Sequence, residues 1–136
     1  MSTPAVFLDK DGTLIEDVPY NVNPALITFT ERAGEALKLL DSGGFRLIVV
    51  SNQAGVARGF FSEHALTAVE NKLRGLFSSV AARFGGFYYC PHDAEGSVKQ
   101  YATNCFCRKP RPGLLLRAAL ELRIDLEKSW LIGDIL

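Results

Sequence analysis

The chain has 136 residues, 48% hydrophobic and 22% charged, with 15 basic and 15 acidic side chains. This is the balance of one globular domain spanning 1–136, long enough to bury a core without disulfides. A formal net charge of zero, with Lys and Arg scattered along the sequence, argues against a nucleic-acid partner. The start has no signal-peptide pattern, and no apolar run approaches the ~18 residues of a membrane helix. The chain therefore reads as cytosolic, where its three cysteines point to metal-bound or structural thiols.

Residues 5–8 are a short apolar run ending at Asp9 and read as a buried strand. Residues 16–30, with Pro19, Pro24 and several Asn, read as a loop. Over 31–40, Ala33, Ala36, Leu37 and Leu40 share one helical face, and Gly43-Gly44 end the helix. Residues 45–50 form a second buried strand ending at Ser51, followed by a loop flanked by Gly55 and Gly59. Ser62 is expected to cap a helix running to about Phe84, with Glu63 in its first turn. Gly85-Gly86 close that helix, and 87–89 form a third strand. Residues 90–110 form a long loop holding every cysteine, Pro112 opens a further helix, and 129–132 form a fourth strand ending at Gly133-Asp134. The alternation of strands and helices predicts an α/β fold, a parallel sheet with helices on both faces. In such sheets ligands bind at the carboxyl ends of the strands, so Asp9, Ser51 and Asp134 are expected to meet at one site.

Asp9 and Asp11, two apart beyond a buried strand, make a hard-oxygen site suited to Mg2+. A carboxylate can accept a phosphoryl group when a cation offsets the repulsion between anions, and a second acid can manage the protons. A simple D-x-D-G turn reads equally well at this stage. A calcium loop does not, because Tyr20 stands where the twelfth-position Glu belongs. A hydroxyl such as Ser51 can hold a phosphate oxygen, although a strand-to-turn serine needs no ligand. Lys109 can offset charge on a transferring group or be a solvated surface lysine.

The pattern Cys90-x-His92, twelve intervening residues, then Cys105-x-Cys107 supplies three thiolates and an imidazole. That set suits a closed, tetrahedral, structural Zn2+ site, with the metal ordering the loop 90–107 that has little to bury. Buried thiols beside a surface histidine are the plainer alternative. A redox C-x-C would leave Cys90 and His92 without a role. The other histidine, His64, reads as a surface residue.

FLDKDGTL resembles the first motif of the haloacid dehalogenase superfamily of phosphatases. The resemblance implies Asp9 as nucleophile and metal ligand, and Asp11 as general acid/base with its backbone carbonyl on the metal. It also implies Ser51 as the phosphate-binding hydroxyl, Lys109 as the phosphate-side lysine and Asp134 as a further Mg2+ ligand. SNQ, the Cys/His loop and RKP narrow the likeness to the families of D-glycero-D-manno-heptose 1,7-bisphosphate phosphatases and histidinol-phosphate phosphatases. SNQAGVARG and RKPRPG lean toward the first. Such proteins have a Rossmann-like core without a large cap domain, act on a small phosphorylated metabolite, and would line the pocket with Asn52, Arg108 and Lys109. The chain is expected to be a monomer. It ends where the family places a second acid and a further strand and helix, so the carboxyl part of the core is expected to be missing. A catalytically impaired, zinc-stabilised phosphate-binding fragment is the third reading.

Overall fold

The computed structural model describes residues 2–133. Four parallel strands form one sheet in the order β3-β2-β1-β4: β1 (Ala5–Asp9), β2 (Arg46–Asn52), β3 (Gly86–Cys90) and β4 (Trp130–Ile132). Parallel strands need long crossovers, and three helices fill them: α1 (Ala33–Ser42), α2 (Leu66–Ser79) and α3 (Gly113–Leu122).

The apolar runs in β1 and β2 are continuous because both sheet faces are covered. Side chains alternate along a strand. Val6, Leu8, Leu47, Val49 and Phe87 therefore pack with Leu37 of α1 and Leu66, Val69, Leu73 and Phe77 of α2. Ala5, Phe7, Ile48, Val50, Tyr88 and Cys90 pack with Leu114 and Ala118 of α3 on the other face. The sheet with helices on both faces is thus as the alternation predicts. Among the described residues, no helix is long and apolar enough to cross a membrane.

Several boundaries differ from the expectation. β2 runs through Asn52, which places Ser51 inside the strand. Helix α1 begins at Ala33 because a turn comes first: Arg32 is left-handed (φ 67°) and the Ala33 amide donates to Thr30 O. Ser62 makes no side-chain cap; it precedes a 3-10 turn, Glu63–Ala65, that leads into α2. α2 stops at Ser79 rather than near Phe84. Ala81 takes a left-handed φ of 57° and the Ala82 amide donates back to Phe77 O, the bonding of a helix C-cap. Phe84 then folds back edge-on against Phe77, with ring centroids 5.1 Å apart. Gly85 lies so near β2 that an added Cβ would stand 2.5 Å from Leu47 O.

Phe77 is wholly buried in the larger core, whereas Leu120 on α3 is 85% exposed. Phe77→Ala should lower the unfolding free energy by about 3–5 kcal/mol. Leu120→Ala should change it by about 0.5 kcal/mol or less. Denaturant melts of the two variants check the contrast.

Candidate active site and metal centre

β1 and β2 lie side by side in register Asp9↔Val50, so their polar carboxyl ends emerge together. On this edge the Lys109 ammonium meets Asp9. Nζ stands 2.5 Å from Asp9 Oδ1 and 3.2 Å from Val50 O, across a separation of 100 residues. The lysine is held at its backbone. Asn52 Oδ1 accepts from the Lys109 amide at 2.9 Å, and Asn52 Nδ2 donates to Lys109 O at 3.2 Å. Asp9 Oδ1 also accepts from the Lys10 amide. Among the described residues, no hydrogen bond reaches Asp9 Oδ2. One carboxylate oxygen is therefore fixed and the other is available, which fits a cation or an incoming phosphoryl group.

The other expected residues are placed as follows. Asp11 is paired through Oδ1 with Lys10 Nζ at 2.9 Å. Lys10 is only 2% exposed, so its charge is taken up by that carboxylate. Ser51 is 2% exposed, and its hydroxyl donates to Gln53 Oε1 at 2.8 Å. Arg108 is not aimed at Asp9; NH1 donates to His92 O, closing the loop 90–107 on itself. Asp134 lies outside the described residues. β4 approaches it in register Leu8↔Ile132, one residue short of the level of Asp9.

Cys90, His92, Cys105 and Cys107 converge, all four ligand atoms lying within 4.8 Å of one another. In five of their six pairs the thiols and His92 Nδ1 stand 2.7 to 3.6 Å apart. A tetrahedron with ~2.3 Å metal–sulfur bonds has edges of about 3.8 Å, so a small adjustment seats a zinc-sized ion. Burial raises the Cys90 thiol, with the Cys107 contact adding to it. Burial acts upward on Cys105 too, but hydrogen bonds from Cys90 and Cys107 and from the Arg108 and Cys107 backbone outweigh it and bring Cys105 down to about 6. A soft divalent cation suits all three cysteines as thiolates.

The loop carrying these ligands is fastened to its surroundings by side chains outside the motifs. Arg58 pairs with Asp93 (2.9 Å) and donates to the Tyr20 hydroxyl (3.1 Å). The Val98 amide donates to Ala57 O. Glu63 accepts from Tyr89 OH at 2.6 Å on one oxygen and from Tyr101 OH at 2.8 Å on the other. Gln53 lies one residue past β2, and continuing the strand's alternation would have set it on the face of Ser51. Lys10, Arg58 and Glu63 carry no comparable signal, because their partners are remote or set by side-chain direction.

The profile of the family described as polynucleotide kinase 3 phosphatase matches residues 5–135. A D-glycero-beta-D-manno-heptose-1,7-bisphosphate 7-phosphatase of Vibrio cholerae is 41% identical over 134 residues, covering 98% of this chain and 72% of that protein. The Escherichia coli (strain K12) protein of the same name is 39% identical, with coverages of 98% and 70%. Among crystal structures, a protein from Mesorhizobium loti described as a HAD-like phosphatase superposes with a TM-score of 0.91 at 32% identity, covering 98% of this chain and 64% of its own. A D,D-heptose 1,7-bisphosphate phosphatase from B. bronchiseptica, complexed with magnesium and phosphate, gives 0.81 at 26% identity, with coverages of 96% and 70%.

Glu63 has a pH signature. The tyrosine hydroxyls, Tyr89 first and Tyr101 next, hold its carboxyl below the usual range. A depressed folded-state value means that this stabilisation is present above the unfolded pKa of ~4.3 and is lost as pH falls through the folded value. Glu63→Gln should therefore lower the thermal midpoint at pH 7, and its difference from the parent should shrink below about pH 4.3. Thermal melts of both proteins across pH 3–7 check it.

Proposed function

The chain belongs to the polynucleotide kinase 3 phosphatase family of HAD-like phosphatases, and from that membership we propose that it is a Mg2+-dependent phosphatase of a small sugar bisphosphate. The names of its relatives favour D-glycero-D-manno-heptose 1,7-bisphosphate as substrate. The observation that carries the reading is the Lys109–Asp9 pair at the carboxyl edge of the sheet, clamped by Asn52.

In this reading Asp9 is the nucleophile. Lys109 and the Lys10 amide hold Oδ1, leaving Oδ2 to attack phosphorus in line with the ester oxygen. In the reacting form Asp11 is protonated on Oδ2, the oxygen Lys10 does not hold; the bond from phosphorus to the ester oxygen breaks as that proton passes to it, so an alcohol leaves and Asp9 carries the phosphoryl group. Asp11, now a base, takes a proton from water, which attacks phosphorus and releases phosphate from Asp9. Ser51, Asn52 and Lys109 hold phosphoryl oxygens, with Arg108 bordering the pocket through its place beside Lys109. Mg2+, held by Asp9, the Asp11 carbonyl and Asp134, would neutralise charge between the carboxylate and the phosphoryl group. Zn2+ on Cys90, His92, Cys105 and Cys107 would be structural, since four protein ligands leave no open position.

The chain should release phosphate from the heptose bisphosphate only with Mg2+. Asp9→Asn should lower the rate by at least ~1000-fold with a normal circular dichroism spectrum, the scale expected for a lost nucleophile. Turnover in Asp9→Asn would sink the mechanism. A panel including histidinol phosphate and a nucleotide 3′-phosphate fixes the substrate class, and preference for either would replace the sugar assignment. The metal-free chain titrated with Co2+ should saturate at one equivalent with the visible bands of a tetrahedral thiolate site. Cys105→Ser should weaken that binding.

A further inference from the structure

Ser51 has one proton to give and two neighbours that would take it. Its Oγ lies 2.8 Å from Gln53 Oε1 and 3.3 Å from Asn52 O, and both are acceptors. A hydroxyl donates a single hydrogen bond. While the proton is given to Gln53 or Asn52, none is left for a phosphoryl oxygen. The backbone offers no escape. The Gln53 amide donates to Cys90 O at 2.7 Å, and Gln53 O accepts from the Val56 amide. Both side chains are buried, Ser51 to 2% and Gln53 to 6% exposure. The group free to change is the Gln53 carboxamide. Its oxygen and NH2 are nearly the same size, so a half-turn about the last torsion exchanges them in place. Nε2 would then donate to a Ser51 lone pair, leaving the more distant Asn52 O, at 3.3 Å, as the internal competitor with a phosphoryl oxygen for the hydroxyl proton.

We propose that Gln53 is a positioning residue for phosphate: its carboxamide turns when the anion binds, donates to Ser51 Oγ, and directs the Ser51 proton onto a phosphoryl oxygen. This rests on the assignment of Ser51 as a phosphate ligand made above. It adds a residue that touches the hydroxyl and not the substrate. Gln53 also joins Ser51 to Cys90, so the phosphate hydroxyl and the first cysteine of the metal cluster share one support.

A double-mutant cycle tests the proposal. Binding of inorganic phosphate with Mg2+ is measured by calorimetry, and KM and kcat on a phosphate monoester are measured in parallel. The proteins are the parent, Gln53→Met, Ser51→Ala and the double variant. Gln53→Met keeps the volume but removes the acceptor and the donor together, so nothing orients the hydroxyl outward and Asn52 O is left to take its proton. The substitution should weaken phosphate binding and raise KM by ~3–10-fold, the scale of one hydrogen bond, with a smaller change in kcat. In the Ser51→Ala background the same change should cost less than about 2-fold, because contacting residues that act as a unit are non-additive. A purely structural role would lower stability equally in both backgrounds and leave no such coupling. Gln53→Leu carries the same comparison if Gln53→Met does not fold. Equal losses with and without the Ser51 hydroxyl, or parental phosphate affinity in Gln53→Met, would overturn the proposal and leave the phosphatase assignment standing. A parent chain that binds no phosphate would remove both.

Discussion

The contact between Lys109 and Asp9 holds only because the chain is fixed on both sides of it. Asp9 is the last residue of a strand buried on both faces. Lys109 has no strand beneath it and is set by the paired hydrogen bonds to Asn52, at the end of the neighbouring strand. Partly exposed ion pairs contribute about 1 kcal/mol or less. The pair therefore does not hold the fold together. The fold, built on the alternating cores of two adjacent strands, is what places the two charges at the carboxyl edge of the sheet.

The loop 90–107 follows a different logic. It offers the cores Cys90 and the partly buried Tyr101, Cys105 and Cys107, three of these four being candidate metal ligands, so apolar packing alone does little to order it. Its fastenings to the sheet edge are polar: Arg58 to Asp93, Glu63 to Tyr89 and Tyr101, and the backbone bond from Val98 to Ala57. Gly96 sits so close to Ala57 that an added Cβ would lie 2.6 Å from its carbonyl oxygen, so contact is intimate as well as polar. Each bond is worth on the order of 1 kcal/mol, less than the ordering cost of one or two residues. A four-ligand metal site can supply the difference. Cys107 lies two residues before Lys109, so whatever orders the cysteines also limits where the lysine can go.

Some of this was legible in the residues alone. The buried strands stand out because parallel strands read as unbroken apolar runs, and their polar ends mark the binding edge. The cysteine cluster stands out because thiols and imidazole at short spacing have few other uses. Helix ends were harder. Ser62 looked like a cap but leads into a 3-10 turn, and the apolar pattern beyond Ser79 continued while Ala81 turned left-handed. Propensity does not register a backbone reversal that Phe84 secures by packing on Phe77.

Residue pattern and motif order determined the α/β class, the four Cys and His side chains that could hold a metal and the candidates for phosphoryl chemistry, because those depend on residue type and short spacing. Tertiary structure alone decided which of them touch. Arg108 turns to His92, Ser51 to Gln53 and Asp11 to Lys10, while Lys109 reaches Asp9. The Lys109 and Arg108 pairings depend on approach between segments separated in sequence, and the short-range pairs of Asp11 and Ser51 on side-chain direction, which residue type does not specify.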